Sequence, residues 1–218
     1  MPVTFGRRVM LPLLARLTQA YPRLSINARF SELYVDLVKE EIDVAIRTGP
    51  LRDSTLVARR FAAQELLLFA SPSYLAHAGT PTSLTELANH SAVLFCVPST
   101  GKDRPWHFRS RGRNVTLMPA SRLRVDDGDA IVRAAALGMG IGQVPHYMVT
   151  DLLARAELVE LLPAMRPAPM PIAALMPSAR LIPARVRVLL ELLERSADSF
   201  PGAPPVNANT SHRRRPRD

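Results

Sequence analysis

The stretch that decides the fold lies at residues 9–50 and reads VMLPLLARLTQAYPRLSINARFSELYVDLVKEEIDVAIRTGP. In its first part, apolar residues recur every three to four positions between 9 and 21, a spacing typical of an amphipathic helix. Pro22 ends this helix because proline cannot donate a backbone hydrogen bond, and Thr4 is placed to act as its N-cap. The stretch therefore begins with one well-defined helix.

The rest of this stretch alternates between strand and helix patterns. Apolar and polar residues alternate over 24–30, which predicts a half-buried strand, and Ser31 is placed to cap the next helix. Residues 33–38 predict that short helix, and the apolar run at 43–48 predicts a strand that enters a Gly-Pro turn. This alternation predicts an α/β fold with a largely parallel sheet and helices on its faces.

The same rhythm continues along the chain. Ser83 and Glu86 form a capping-box pattern that opens a short helix, and the strand patterns at 106–109 and 113–118 predict a hairpin. The other predicted elements are strands at 66–70, 92–97, 122–125, 141–144 and 172–176 and helices at 130–137 and 184–195.

A glycine-rich segment at 138–142 invites comparison with a dinucleotide-binding fingerprint. That fingerprint places its glycines after a strand and before a helix. Here the glycines follow a predicted helix and precede a predicted strand, so they indicate a helix C-cap and a tight turn.

The composition excludes several classes of protein. With 218 residues, 47% of them hydrophobic, the chain can bury a core and is not intrinsically disordered. No apolar stretch approaches the ~18 residues of a membrane-spanning helix. The single cysteine, Cys96, cannot form an internal disulfide, and the five histidines show no metal-ligand spacing with it. We therefore expect no metal, no cofactor and no membrane partner, and a reducing, cytoplasmic location.

The formal net charge of +9 comes almost entirely from arginine. Such an excess is typical of proteins with polyanionic partners, but most of these arginines are scattered, which favours a solvated surface. Residues 199–218 end in a cluster of four arginines and predict a disordered basic tail. One open alternative is that this tail binds DNA non-specifically.

Sequence motifs of enzymes are absent: there is no nucleophile elbow, P-loop, His-Glu-x-x-His or Cys-x-x-Cys. Small polar residues do lie at helix starts and strand ends, where α/β sheets bind ligands. Each of them is equally a candidate N-cap or turn residue, so both interpretations stay open. They are Thr4, Ser31, Thr48, Ser99, Thr100, Asp126 and Asp127.

A series of short segments, in order, resembles the effector-binding domain of LysR-type transcriptional regulators. The resemblance covers about residues 2–198. The segments are Phe5-Gly-Arg-Arg, Leu11-Pro-Leu-Leu, Tyr21-Pro, Asp36-Leu-Val, Asp43-Val-Ala-Ile-Arg-Thr-Gly-Pro, Ala70-Ser-Pro-Ser-Tyr-Leu, Asp126-Asp-Gly and Gly138-Met-Gly-Ile-Gly.

This resemblance implies a type 2 periplasmic-binding-protein-like fold, with two Rossmann-like α/β lobes joined by two crossover segments. Lobe I would comprise residues 1–67 plus 172–198, and lobe II residues 68–171. The crossovers would fall near 68–71 and 171–174.

The resemblance also implies a binding cleft between the lobes for a small-molecule effector, with an organic acid as one expected class. Thr4 is the expected anchor, because the free N–H groups of a helix start favour an anion. The ligand-binding residues carried over from the family are Thr4, Phe5, Gly6, Ser31, Glu32, Thr48, Gly49, Ser99, Thr100, Asp126, Asp127, Val144 and Pro145.

By the same resemblance, the chain is a bacterial regulatory domain and not an enzyme. It would form a homodimer, and a tetramer in the full-length regulator, and would meet DNA only through an N-terminal winged helix-turn-helix that this chain lacks. Two alternatives stay open: a stand-alone or extracytoplasmic small-molecule-binding protein of the same fold, and an enzyme of tetrapyrrole synthesis with a cofactor on Cys96.

Overall fold

A computed structural model describes residues 1–49, 55–177, 182–197 and 200. We number the helices α1–α5 and the strands β1–β11. The first helix, α1, runs through three consecutive segments: Val3–Phe5, a π-helical turn at Gly6–Met10, and Leu11–Ala20. The other helices are α2 (Pro72–Ala78), α3 (Gly128–Ala136), α4 (Thr150–Ala154) and α5 (Ala184–Arg195). Short 3-10 helices lie at Glu86–Asn89, His146–Met148 and Pro163–Met165.

The strands are β1 (Ala45–Thr48), β2 (Val57–Gln64), β3 (Leu66–Ala70), β4 (Ala92–Val97), β5 (Lys102–Asp103), β6 (Trp106–Ser110), β7 (Arg113–Leu117), β8 (Ser121–Val125), β9 (Gly142–Pro145), β10 (Val159–Leu161) and β11 (Met170–Met176).

Lobe I is built on one three-stranded sheet in the order β1-β11-β2, with both pairings antiparallel. Helices α1 and α5 cover this sheet because each has a strongly apolar stripe: Leu13, Leu14 and Leu17 on α1, and Leu190 and Leu193 on α5, are buried. These side chains join the buried residues of β1 and β11 in a single core.

Lobe II holds two three-stranded sheets, β10-β3-β9 and β5-β4-β8, and the β6-β7 hairpin. Its core has two parts. One part packs against α3 through Val132 and Ala135, and the other packs beneath the hairpin through Trp106 and Phe108. Apolar side chains therefore pack against both faces of the lobe II strands.

The chain passes between the lobes twice. It leaves lobe I at Glu65, between β2 and β3, and returns after the 3-10 helix that ends at Met165. These positions precede the expected crossovers by a few residues. Arg166 of the return passage donates two hydrogen bonds to the Glu160 carboxylate and one, of 2.8 Å, to the Glu65 carboxylate. These bonds connect the two passages.

Several predicted elements differ in the structure. Residues 24–30 are extended but pair with no strand among the described residues. Residues 33–38 form no helix: the Asp36 carboxylate accepts the N–H groups of Val38 and Lys39, and the single turn after it ends at Glu41, where φ is 53°. Side-chain bonds of this kind compete with the helical pattern.

Two further expectations were wrong in detail. Thr4 is not the N-cap of α1, because Pro2 occupies that position and Thr4 lies buried inside the first turn. The sheets are also not largely parallel: β4 and β8 form the parallel pair among the named strands. Strand β11 runs antiparallel to both its neighbours, β1 and β2, and β3 runs antiparallel to β9 and β10.

The glycine-rich turn is a helix cap, as predicted. The Met139 N–H donates to Ala134 O and the Gly138 N–H to Ala135 O, with Gly138 at φ 79°. This is the Schellman pattern. The hairpin, the strand at β4 and the helix at α5 also form where the patterns place them.

The predicted tail begins too early. Phe200 is buried in the lobe I core, where its ring packs against Phe61 and Phe5 with ring centres 5.7 and 6.3 Å apart. The rest of the predicted basic tail lies outside the described residues.

Candidate functional site between the lobes

The first turn of α1 lies at the contact between the lobes. Its first N–H, from Val3, donates to the Glu32 carboxylate at 2.9 Å. The Thr4 hydroxyl has no hydrogen-bond partner in the described part of the chain, and it lies 3.5 Å from the point where a Cβ on Gly128 of lobe II would sit. Glu32 therefore neutralises one part of the helix start, and Thr4 faces the other lobe.

The opposing surface of lobe II is the start of α3. Asp127 caps this helix by accepting the Ala130 N–H at 2.8 Å, which is the capping role left open by the sequence. The Asp129 carboxylate, in the first turn, forms an ion pair with the Arg8 guanidinium of α1, with 2.9 Å between oxygen and nitrogen. The acidic residues here are therefore engaged in a cap and in an ion pair across the lobes.

An aromatic contact lies beside this ion pair. The rings of Phe5 and Tyr147 meet edge to face, with centres 5.6 Å apart. Tyr147 belongs to lobe II, but its side chain packs into the core of lobe I. Burial raises the pKa of Tyr147 far above its ordinary value, and the Glu32 and Asp129 carboxylates raise it further. Tyr147 is therefore a neutral phenol, and its hydroxyl has no hydrogen-bond partner among the described residues.

Arg104 brings a cation to the same contact. Its guanidinium carbon lies 4.2 Å from the centre of the Phe95 ring, and its backbone N–H donates to Phe95 O. Part of the Arg104 residue is exposed to solvent; partial loss of hydration lowers its pKa, while Glu32, Tyr147 and Tyr34 raise it. No carboxylate forms an ion pair with Arg104 within the described ranges, so lobe II presents toward lobe I a cation without a direct carboxylate partner.

A second arginine lies on the lobe I side. Arg47, near the end of β1, is buried, donates to Leu33 O at 2.9 Å and lies over the Tyr34 ring at 4.6 Å. Burial lowers the pKa of the N-terminal ammonium group, and the nearby charge of Arg47 lowers it further. Lobe I therefore also contributes positive charge around Glu32.

The structure brings some of the carried-over residues together and leaves others apart. Thr4, Phe5, Glu32 and Asp127 cluster at the contact of the lobes, whereas Gly6 faces Phe30 and Met1 within lobe I. Ser31 accepts the Leu33 N–H and stands beside them. The remaining positions serve other contacts: Thr48 pairs with Ile172, Gly49 donates to Pro171 O, Thr100 accepts the Lys102 N–H, Ser99 and Asp126 are exposed, Val144 is buried in the lobe II core, and Pro145 pairs with Leu66.

Sequence reasoning missed Arg8, Arg47, Arg104 and Tyr147. Arg104 is close in sequence to the predicted Ser99 and Thr100, and Tyr147 is close to the predicted Pro145. Arg47 and Tyr147 do lie at or just after predicted strand ends, whereas Arg8 lies in the first helix and has no such signal.

The described residues show neither a metal cluster nor a membrane span. No three His, Cys, Asp or Glu side chains within those residues come together as a metal site. No helix in the described ranges is long and apolar enough to cross a membrane.

Comparison with known proteins supports the same class. The model of the LysR substrate binding domain matches residues 1–198. The transcriptional activator AaeR of Escherichia coli is 32% identical over 190 residues, which is 87% of this chain and 61% of AaeR. The CrgA regulator of Neisseria meningitidis is 31% identical over 155 residues, 71% of this chain and 50% of its own length. The chain thus spans about half to two thirds of these relatives.

Solved structures agree with these relatives. The regulatory domain of Neisseria meningitidis CrgA superposes with a TM-score of 0.77 at 28% identity, covering 90% of this chain and 95% of that one. The full-length Vibrio cholerae virulence activator AphB superposes with a TM-score of 0.76 at 27% identity, covering 88% of this chain and 65% of that one.

Two α/β lobes joined by two passages of chain, with polar groups at their contact, define a type 2 periplasmic-binding-protein-like domain. Within that class, the chain belongs to the LysR substrate-binding domain family and is the effector-binding regulatory domain of a LysR-type transcriptional regulator. Proteins of this family are regulators and not enzymes.

Proposed function

We propose that this domain binds a small organic anion between its lobes and thereby sets their relative orientation. The observation that carries the proposal is the convergence of Arg104, Tyr147 and Thr4. Each offers a hydrogen-bond donor with no partner among the described residues, and they come from both lobes. An anion that contacts both sides stabilises the arrangement in which all three donors reach it.

The charges at the contact favour an anion over a cation. Asp129 is neutralised by Arg8, and Glu32 is committed to the Val3 N–H. Arg104 has no such carboxylate partner within the described ranges, and arginine recognises carboxylates through two parallel hydrogen bonds. Arg104 therefore replaces the start of α1 as the main anchor, with the Thr4 and Tyr147 hydroxyls fixing orientation. The other carried-over residues, Thr48, Ser99 and Asp126 among them, stay predictions.

The test is a binding screen on the chain itself with a panel of small aliphatic and aromatic carboxylates. A ligand at about one hundred times its dissociation constant adds about 2.7 kcal/mol to the free energy of unfolding. For a domain of this size, this raises the melting temperature by roughly 5–10 °C. The absence of any stabilising acid in the panel would overturn the proposal.

Variants make this screen specific. Arg104→Ala should weaken binding of the best acid by roughly tenfold or more, because a charge-assisted hydrogen bond is lost. Arg109→Ala is the matched control, since Arg109 is exposed on the neighbouring strand and has no ion-pair partner in the described chain. Tyr147→Phe should weaken binding while leaving the melting temperature of the free domain nearly unchanged. Equal effects of the two arginine variants would contradict the site.

We also infer that the domain pairs with a second copy. The run at 33–38 exposes four large apolar side chains, Leu33, Tyr34, Val35 and Val38, by 49%, 55%, 41% and 68%. Exposed apolar patches mark interaction sites in soluble domains. Sedimentation of the domain should give a dimer, and Val38→Glu should shift it to monomer; a monomer in both would refute this. A tetramer is expected only in the full-length regulator.

The regulator's contact with DNA is assigned to the part of its relatives that this chain does not cover. Action on DNA places the full-length regulator in the cytoplasm. Residues 1–218 alone should show no sequence-specific shift of a DNA fragment, whereas joining them to the part of a relative such as AaeR that this chain does not cover should produce one.

A further inference from the structure

A concentration of positive charge lies on the β6-β7 hairpin and on the strands next to it. Residues 102–124 contain seven of the 28 basic residues of the chain and one of its 19 acidic residues. All seven basic residues are exposed in the structure. Much of the formal net charge of +9 is therefore gathered on one stretch of lobe II.

Three arginines lie at the tip of the hairpin. Arg109 is near the end of β6, Arg113 begins β7, and Arg111 lies in the two-residue turn between the strands. Arg111 and Gly112 have φ values of 48° and 77°, which are typical of the tight turn that joins two twisted strands. None of the three arginines forms an ion pair with another described residue. Repulsion between like charges opposes this arrangement, and a bound anion would relieve it.

Strand β8 adds two arginines on the hairpin side of its sheet. Arg124 pairs in parallel register with Leu94 of β4, so the two side chains share a face. Leu94 packs with Trp106 of the hairpin, and Arg122, two residues before Arg124, lies on the same face. Arg124 forms an ion pair with Asp103 at 2.7 Å, whereas Arg122 has no such partner within the described ranges. The basic surface thus consists of five residues: Arg109, Arg111, Arg113, Arg122 and Arg124.

The outer face of the hairpin adds polar groups beside these charges. Arg109 lies opposite Asn114 in the register of the two strands, and Thr116 follows two residues later on the same face. Trp106 and Phe108 lie on the other face and pack into the core. Asn114 and Thr116 are both exposed. Amide and hydroxyl groups beside arginine are among the side chains that contact the phosphates and sugars of DNA.

We propose that this basic surface contacts the phosphate backbone of duplex DNA without regard to base sequence. The proposal rests on the function proposed above, in which another part of the regulator binds DNA. That binding would hold the domain near the same duplex, at an effective concentration of the order of 1 mM for a short flexible link. Sequence-independent contacts have dissociation constants of about 10⁻⁴–10⁻⁶ M at physiological salt, so even a weak contact would be occupied.

The distribution of charge and the composition of this surface favour an extended polyanion. Its arginines lie on two separate elements, the hairpin tip and β8, whereas a small anion needs a single convergent site. An acidic protein would need apolar or aromatic anchor residues, and the tip at 109–114 contains none. Arginine also binds phosphate through two parallel hydrogen bonds. Duplex DNA is therefore the partner that fits this chemistry.

The test measures the binding of residues 1–218 to a short fluorescent duplex of arbitrary sequence, by anisotropy over a range of salt concentrations. A hairpin variant combines Arg109→Gln, Arg111→Gln and Arg113→Gln. A control variant removes the same charge from exposed arginines of lobe I without an ion-pair partner in the described structure: Arg7→Gln, Arg23→Gln and Arg187→Gln. A tail variant removes the other basic cluster of the sequence: Arg213→Gln, Arg214→Gln, Arg215→Gln and Arg217→Gln.

We expect the hairpin variant to bind DNA roughly tenfold or more weakly at low salt. Each phosphate contact contributes about 0.9 to the slope of log affinity against log salt concentration, so this variant should lose up to about 2.7 of that slope. The control variant should lose less than about 0.9. Lysine at the three tip positions should retain the slope, because lysine keeps the charge. The hairpin substitutions should have the same effect when they are added to the tail variant.

Equal losses in the hairpin and control variants would overturn the proposal, because net charge alone would then account for binding. Binding by the hairpin variant at the affinity of the parent chain would also overturn it. Polyglutamate of equal charge that binds as tightly as the duplex would overturn it in favour of an acidic protein partner. The carboxylate screen keeps this result separate from the effector site, because the hairpin variant should bind the best acid as the parent chain does.

Discussion

Arg8 of lobe I and Asp129 of lobe II form an ion pair across the two lobes, with 2.9 Å between the guanidinium nitrogen and the carboxylate oxygen. The pair lies beside the edge-to-face contact of Phe5 and Tyr147. The aromatic contact is buried and the ion pair is about one third exposed. The apolar contact therefore supplies most of the attraction between the lobes, and the ion pair adds a directional link at its rim.

The first prediction concerns the strength of this link. In a double-mutant cycle of Arg8→Ala and Asp129→Ala, we expect a coupling free energy of about 0.2–1 kcal/mol, the range of partly exposed pairs. Urea unfolding of the four proteins measures it. Arg7→Ala is the control, because Arg7 is exposed beside Arg8 and has no ion-pair partner within the described residues. The coupling should shrink at high salt, and a coupling that does not respond to salt would contradict an ion pair.

The second prediction concerns the C-terminal limit of the folded domain. Phe200→Ala should lower the free energy of unfolding by about 3–5 kcal/mol, because the ring leaves a cavity between Phe5 and Phe61. Met118→Ala is a matched truncation of a side chain that is 56% exposed, and it should change stability by less than about 0.5 kcal/mol. Chemical denaturation checks both. Equal small effects would place Phe200 outside the core.

Much of this fold follows from periodicity alone. The apolar stripes of α1 and α5 and the buried run of β4 come from local patterns, so the sequence predicts them nearly to the residue. The failures at 24–30 and 33–38 have a different cause. A strand needs a partner, which no local pattern supplies, and a single Asp36 side chain was enough to redirect the backbone of the next segment.

The contact between the lobes was harder to predict. Capping residues such as Asp127 are recognisable because their role is local. Arg8 and Asp129 are 121 residues apart in the sequence, and the charge of Glu32 acts on Arg104 from the other lobe. Pairings at this distance depend on how two lobes dock, and charge alone does not distinguish these arginines from the scattered surface ones.

The third prediction concerns the two passages between the lobes. Arg166 holds Glu160 with two hydrogen bonds of 2.6 Å and Glu65 with one of 2.8 Å. These bonds, with Glu160 first, raise the pKa of Arg166 above its ordinary value, so the group stays charged at every pH at which the domain is folded.

Arg166→Met should therefore lower the free energy of unfolding by about 1.5–3 kcal/mol, the range of hydrogen bonds to charged groups. Arg166→Lys should recover only part of this loss, because lysine cannot hold a carboxylate at two points. The control is Arg155→Met, since Arg155 pairs with Glu157 and both are largely exposed. If Arg155→Met destabilises the domain as much as Arg166→Met does, the tie between the passages has no special role.

The fourth prediction separates two costs of replacing glycine. Gly79 and Gly140 both have positive φ, at 82° and 147°, so alanine strains the backbone at either position. They differ in space: a Cβ at Gly79 meets nothing within 4 Å in the described structure, whereas a Cβ at Gly140 lies 2.5 Å from Ser91 O. That oxygen also accepts the Ile141 N–H, which aligns β9 with β4.

Gly79→Ala should cost about 1–2 kcal/mol from strain alone, and Gly140→Ala should cost clearly more, because the Ser91 backbone has to move and weaken this hydrogen bond. Thermal unfolding of both variants measures the difference, and hydrogen exchange at the Ile141 amide locates it. Equal losses of stability, with the Ile141 amide as protected as in the parent chain, would show that the close approach of the two backbones is not what requires glycine at position 140.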